Sequence, residues 1–405
     1  MSTAAALHRI GREIADPERL GRALDELLSA RSSPPALFAL GEPTHGITAF
    51  PLLRNEILAH LVERGCRSVA LEIDFFAASM VDDFVAGTTG DIDAVLASGF
   101  SHRFGAIPGN RELVEWLRTH NARCAPQDRV RFYGFDMPGD QTDIPSPRRH
   151  LYAVNDYLPA ALRPDSARDL DSLLGSNADW TNPAAMYDAT ASVGDSDSAK
   201  ALRIVAEDLA SALRRSAPSL RPADPSAHDQ ALSHARTAQG LLRYHAAMAS
   251  PGPDRIASML SVRAEMMAEN LHAIDAQESS RGPCLVFAHN VHLQRMPSHM
   301  QIGARAAQWG SAGELIGLTL GERYLFVATD ASPDSDPGTL QRALAEATSR
   351  RALFPTPELR AALPPSIGAS TPIVPGHVPL SREVINGADA VIFIADTDGK
   401  RHQYW

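Results

Sequence analysis

The sequence predicts an α/β fold: a central, mostly parallel sheet flanked by helices in three layers, with a helical insertion or cap. Three observations carry that expectation. Apolar runs of strand length recur at Ala36–Leu40, Ser68–Leu71, Val130–Phe135, Cys284–Ala288 and Ala390–Ile394. Segments of helical periodicity separate the early runs, the alternation that builds parallel sheets. From about 146 to 276 the runs vanish and only helical spacing is left. The chain thus divides into a first part of the α/β core (1–145), a helical insertion (146–276) and a second part of the core (277–405).

Taken in order, Leu7, Ile10 and Ile14 mark one short amphipathic helix, and Leu20, Leu24 and Leu28 a second; both are expected on the outside of the sheet. The run Ala36–Leu40 breaks into Gly41-Glu42-Pro43-Thr44-His45-Gly46. A carboxylate and an imidazole three residues apart then lie just beyond a buried strand. A helix follows, with Phe50, Leu53, Ile57 and Leu61 on one face. Thr48 suits its N-cap, Pro51 its first turn and Gly65 its stop. Ser68–Leu71 is the next strand, ending on Glu72. Phe75–Val85 reads as a helix, Gly87–Gly90 as a turn and Asp91–Leu96 as a short helix. Gly99–Gly105 is a loop holding His102 and Arg103. Arg111–Asn121 is helical, and the strand beginning at Val130 ends on Asp136.

In the insertion, helices are expected over Ala199–Arg215, Gln230–Met248 and Ile256–Ile274, with polar breaks at Gly194–Ser198 and Pro222–Ser226. The sheet resumes at Cys284–Ala288, followed at once by His289-Asn290-Val291-His292. Glu314–Leu320, Tyr324–Thr329 and Ala390–Ile394 read as further strands. Ser332–Pro337 and Leu363–Pro379 are loops rich in proline and serine.

Hydrophobic residues make up 44% of the 405 and charged residues 21%, an ordinary globular balance. The formal net charge of −10 argues against a nucleic-acid backbone or an anionic membrane surface as partner. Lys200 and Lys400 are the only lysines. Cys66, Cys124 and Cys284 fit neither a disulfide framework nor zinc spacing, which predicts reduced thiols and a cytoplasmic protein. Arg9, Arg12 and Glu13 interrupt the N-terminal segment, so neither a signal peptide nor a membrane span is expected.

Four strands end on ionisable groups: Glu42 with His45, Glu72, Asp136, and His289 with His292. An open parallel sheet gathers its chemistry at such ends, so a shared pocket at one sheet edge is expected. Taken singly, each group could equally cap a helix or turn. His45 suits a general base, because a neighbouring carboxylate fixes its tautomer and keeps its pKa near neutrality. Glu42 and Glu72 suit orienting that base or activating water. Arg54 suits neutralising an oxyanion, or a structural pairing with Glu72 or Glu42. His289 and His292 could bind a metal with Glu42 or Glu72, but no His-Glu-x-x-His supports it. The reading is therefore no cofactor, with one of these histidines as acid or oxyanion stabiliser and the other in support. His292, Asp136, His102, Arg103 and Arg263 are the candidates for contacting a small-molecule substrate. Arg263, Glu265, Glu269 and Asn270 alone would form a solvated helix face. No Gly-x-Ser-x-Gly elbow follows a strand, and neither a Walker lysine nor a Gly-x-Gly-x-x-Gly turn is present. Serine hydrolases of that architecture, and nucleotide and dinucleotide enzymes, are thereby set aside.

Together these pieces resemble the erythromycin esterase family. The likeness covers most of the chain. It rests on Gly41–Gly46, Arg54, Val69–Glu72, Trp116–Arg118, Phe132–Asp136, Arg263 with Met267–Asn270, and Phe287–His292. It implies hydrolysis of a macrolide lactone or a related polyketide-type ester without a serine nucleophile, and hence a part in antibiotic resistance. The family's general base would fall on His45, its glutamates on Glu42 and Glu72, its arginine on Arg54 and its second histidine on His289, with His292 as a further pocket residue. Pro43 stands where the motif usually carries a small residue; it should stiffen the loop without removing a catalytic group. The middle, about 140 to 255, matches weakly, and that region would shape the substrate cleft. The alternative is a non-hydrolytic acid–base enzyme of natural-product biosynthesis, a cyclase, dehydratase or rearrangement catalyst using the same pocket. A third reading is a protein that sequesters its ligand without reaction.

Overall fold

A computed structural model describes residues 3–88, 90–140, 143–302, 305–332 and 335–403. Its strands are β1 (Arg12–Glu13), β2 (Leu37–Glu42), β3 (Ser68–Asp74), β4 (Arg131–Asp136), β5 (Cys284–His289), β6 (Ser298–Ile302), β7 (Arg305–Trp309), β8 (Tyr324–Asp330), β9 (Arg351–Pro355) and β10 (Ala390–Ile394). Eight of them form one sheet in the order β1-β9-β10-β8-β2-β5-β3-β4, and β6 and β7 pair separately. The pairs β2/β5, β2/β8, β3/β5 and β8/β10 are parallel. β9 runs antiparallel to β10, and β1 antiparallel to β9. The expected α/β architecture with a mostly parallel sheet is the one that forms.

The strands read as unbroken apolar runs because both faces of the sheet are covered. Phe38, Leu40, Val69, Leu71, Leu285 and Phe287 join one core with Leu24, Leu53, Ile57, Val81 and Leu113 from the helices on that face. Ala39, Ala70 and Val286, which point the other way, are equally buried. Fully burying each larger side chain contributes about 1.5–3 kcal/mol. The helix Ala49–Glu63 supplies Phe50, Leu53, Ile57 and Leu61 to this core.

The chain divides into two units: residues Met1–Phe135 with Leu271–Trp405, and Asp136–Asn270. The first holds the sheet. The second is helical, with Asp197–Leu220 and Pro225–Ala249 as its long elements. Leu202, Leu209, Leu213, Ala231, Ala238 and Leu242 form one of its cores.

Several local expectations are overturned. Glu314–Leu320 lies in a helix, Ala312–Leu320, not a strand. Ser311 caps it by accepting the Glu314 N–H, and Ser-x-x-Glu ahead of an apolar run is a helix-start pattern that outweighs the apolar content. Thr48 has helical dihedrals and caps nothing with its side chain. The helix expected from Phe75 begins at Ala78, because Asp74 Oδ1 accepts the N–H groups of Phe76 and Ala77 in a turn. β1, β6, β7 and β9 had no strand signal. Thr89 of the expected Gly87–Gly90 turn, and residues 333–334 of the expected Ser332–Pro337 loop, lie outside the described residues.

Candidate active site

Three neighbouring strand ends assemble the candidate site. In the β2/β5 register Glu42 stands opposite His289, and Leu71, one residue before Glu72, stands opposite Phe287. Parallel pairing therefore delivers two carboxylates and an imidazole to one edge. Gly41 is required here for space: a Cβ on it would lie 2.1 Å from Asn290 Oδ1. The Asn290 side chain uses that room to donate to the Thr329 carbonyl at 2.8 Å, while Thr329 Oγ1 donates to the Gly41 carbonyl at 2.7 Å. β2, β5 and β8 are thus locked together directly below the site.

His45 sits on the loop after β2. Its Nδ1 lies 2.8 Å from Glu42 Oε1 and its Nε2 lies 3.8 Å from Glu72 Oε1. Nδ1 carrying the proton toward Glu42 leaves Nε2 as the basic nitrogen. Burial by itself lowers the His45 pKa, but the charge of Glu72 and the Glu42 hydrogen bond outweigh it, and the net direction is upward. Burial also raises the Glu42 carboxyl, against the downward pull of the His45 bond. A buried cluster with two carboxylates to one imidazole holds its protons tightly. The second oxygen of Glu42, Oε2, is buried without a hydrogen-bond partner.

Glu72 Oε2 accepts the backbone N–H of His289 at 2.8 Å, and Glu72 Oε1 lies 3.3 Å from His292 Nε2. The His289 ring is 5.4 Å from the His45 ring, centre to centre. Its Nδ1 accepts the Val291 N–H at 3.2 Å, so its proton is on Nε2, which lies 3.3 Å from the Gly376 carbonyl oxygen. Burial, with the charge of His45 next, pushes the His289 pKa down to about 3. This direction favours His289 as a neutral Nε2–H donor at ordinary pH. Phe104 packs on His45 with ring centres 4.7 Å apart.

Arg54 is almost fully enclosed, yet it bonds neither Glu42 nor Glu72. Nη1 donates to Asn110 Oδ1 at 2.8 Å, Nη2 to the Gly109 carbonyl at 3.0 Å, and Nε and Nη2 both to Asn55 Oδ1. Its guanidinium carbon stands 5.0 Å from the Phe287 ring centre. Burial lowers its pKa to about 9, so it stays charged at neutral pH. Four of its five N–H groups are used, leaving one Nη1 hydrogen. Arg54, Glu42, His45, Glu72, Phe104 and Phe287 line one cavity of about 20 Å³, roughly the room a single water needs.

The other sequence candidates are arranged differently. His102 and Arg103 both have φ of 57°, an uncommon left-handed backbone for such residues, and His102 lies 5.4 Å from Phe104, ring to ring. Asp136 and Arg263 belong to the second unit and pair with each other, Nε to Oδ1 at 2.9 Å and Nη2 to Oδ2 at 2.5 Å. Asn270 is buried there and accepts two bonds from Arg236, so that helix face is not simply solvated. Asn55, Gly109, Asn110 and Gly376 went unnoticed in the sequence. They act through amides and carbonyls, which carry no titratable signature. Among the described residues, no group of three or more His, Cys, Asp or Glu side chains is arranged to hold a metal ion.

The family model described as erythromycin esterase matches residues 61–397. This chain belongs to the erythromycin esterase family. That membership supports an esterase-like hydrolase. Three solved structures share the fold of this erythromycin esterase family member along nearly its whole length. A Bacillus cereus protein is 16% identical, with TM-score 0.72, covering 97% of this chain and 96% of its own. An erythromycin esterase mutant, EreC in its open conformation, is 16% identical with TM-score 0.69, and 96% of each chain is covered. A succinoglycan biosynthesis protein is 15% identical with TM-score 0.65, covering 97% and 96%. No curated protein matches the sequence. No helix among the described residues is long and apolar enough to cross a membrane.

Proposed function

We propose that this protein hydrolyses a macrolide lactone or a related polyketide-type ester, with His45 as general base and no serine nucleophile. The observation that carries the proposal is the 2.8 Å contact of Glu42 with His45 Nδ1, which leaves Nε2 toward Glu72 and the shared cavity. Nε2 takes a proton as water attacks the ester carbonyl carbon. Glu42 and Glu72 stabilise the imidazolium that forms. The remaining Nη1 hydrogen of Arg54 is the donor for the developing oxyanion. When the carbon–oxygen bond to the alkoxide breaks, the imidazolium returns its proton to it, giving a carboxylic acid and an alcohol. His292, against Glu72, supports that carboxylate, and His289 supplies a neutral Nε2–H.

The test is incubation with erythromycin in ¹⁸O-labelled water, followed by mass spectrometry. One labelled oxygen in the ring-opened acid is the expected result. A product without label points instead to cyclisation or dehydration, and unchanged macrolide rejects that substrate. His45→Asn should abolish the incorporation while leaving the folded state intact.

A further inference from the structure

We propose that the buried pair Asp330–His377 is a positioning device that holds the Gly376 carbonyl against His289 and the neighbouring backbone against the His45 loop. Neither residue touches the reacting groups, and both are fully buried. His377 Nδ1 accepts the Ile373 N–H at 3.0 Å, so Nε2 carries the proton and donates to Asp330 Oδ1 at 2.9 Å. Asp330 Oδ1 also accepts the Ala331 N–H, and Oδ2 accepts from Gln341 Nε2 and from the Leu380 N–H, each at 2.8–2.9 Å. Four donors on one carboxylate at the end of β8 fix both sides of residue 377.

The consequence lies in the flanking residues. Gly376, at φ 79°, turns its carbonyl oxygen to His289 Nε2 at 3.3 Å. The Val378 N–H donates to the Pro43 carbonyl at 2.9 Å, two residues before His45. One buried staple therefore places the acceptor for one active-site histidine and the seat of the other. A histidine donating its Nε2–H to a carboxylate that accepts three further hydrogen bonds is the arrangement that orients ligating and catalytic imidazoles elsewhere; here it orients a backbone carbonyl. The groups facing His289 are His45, Glu72 and His292, besides that carbonyl. Without Gly376 in place, the His289 Nε2–H loses its acceptor and the ring loses one of the two hydrogen bonds that seat it.

The catalytic arm of this proposal rests on the esterase reading; the imidazole arm does not. Nitrogen-15 NMR of histidine-labelled enzyme, assigned with His289→Asn, reads the tautomer directly. In the native protein His289 should remain neutral with its proton on Nε2 between about pH 5 and 8. A native His289 with its proton on Nδ1, and so with no Nε2–H for Gly376, overturns the proposal without any variant. In His377→Leu, or in the isosteric Asp330→Asn if the first does not fold, the His289 Nε2 resonance should shift, because its N–H has lost the Gly376 carbonyl. On erythromycin kcat should fall about tenfold with KM within about twofold, since geometry rather than binding is disturbed. His377→Gln, which keeps a donor to Asp330, should restore most of both signals. A folded variant whose His289 signal and pH response match the native ones overturns the proposal. Native enzyme that leaves erythromycin intact rejects the substrate reading, and the NMR result still decides the staple.

Discussion

Glu72 reaches His289 and His292 with different oxygens: Oε2 takes the backbone N–H of His289, and Oε1 lies 3.3 Å from His292 Nε2 and 3.8 Å from His45 Nε2. One carboxylate thus ties the end of β5 to the loop after β2. The position of its charge sets the proton affinity of the proposed base.

The first expectation concerns pH. His45 must be neutral to accept a proton, and its pKa is raised above the ordinary 6.5, against burial, by Glu72 and Glu42. The acid limb of kcat/KM should then lie above pH 6.5, with activity lost as pH falls through the raised value. Glu72→Gln removes one of the upward influences, and the limb should move to lower pH. A limb unmoved in that variant removes His45 as its source. For stability the sign is opposite. The contribution of His45 is fully present below 6.5 and is lost as pH rises through the folded value.

Replacing the base is the second. His45→Asn should cost about a hundred- to ten-thousandfold in kcat, the usual worth of a positioned general base. Its thermal midpoint should stay near that of the native protein. Near-native turnover in that variant would remove His45 from the mechanism.

A third expectation follows from Arg54. Lysine cannot reach Asn55, Asn110 and the Gly109 carbonyl together, so Arg54→Lys leaves acceptors unmet, among them the buried Asn110 Oδ1 or the part-buried Asn55 Oδ1. Each costs about 1–3 kcal/mol. Urea unfolding should show a loss of about 2–4 kcal/mol. An unchanged midpoint would mean the guanidinium is not the anchor its bonds suggest.

Gly41→Ala is the fourth. The new methyl must displace Asn290, and forced overpacking of this kind costs about 1–3 kcal/mol. Activity should fall further than stability, because Asn290 adjoins His289. Equal, small effects on both would separate the Asn290 lock from the site.

The fifth concerns acid. His289 is lowered to about 3 and, in the second unit, His150 to about 3 and His234 to about 4, each first by burial. The His150 and His234 Nδ1 atoms lie 2.8 Å apart. The unfolded chain takes up protons near pH 6.5 and the folded one does not, so stability should fall as pH drops from there toward 3. His150→Gln cannot ionise, and its acid-unfolding midpoint by circular dichroism should move to lower pH.

What was legible in the sequence has a physical pattern. β2, β3, β5, β8 and β10 announce themselves because sheets buried on both faces need continuous apolar runs. Glu42, His45, Glu72, His289 and His292 stand out because ionisable groups directly after such runs are conspicuous. Asp136 met the same criterion, yet its charge is taken up by Arg263, a partner 127 residues away that no spacing rule reveals. Glu314–Leu320 failed because a capping pattern outweighed composition. Arg54's partners and the Gly376 carbonyl were invisible because backbone and amide groups leave no mark on composition or charge.

The placement of β2 has a consequence for synthesis. Both its neighbours, β5 and β8, begin at Cys284 or later, more than 240 positions downstream. While the ribosome builds the intervening helices, this strand has neither final hydrogen-bonding partner, and its apolar side chains lack their eventual cover. Such long-range closure slows folding and leaves an adhesive edge waiting. Nascent chains halted before residue 284 should accordingly bind chaperones more avidly than the finished polypeptide does.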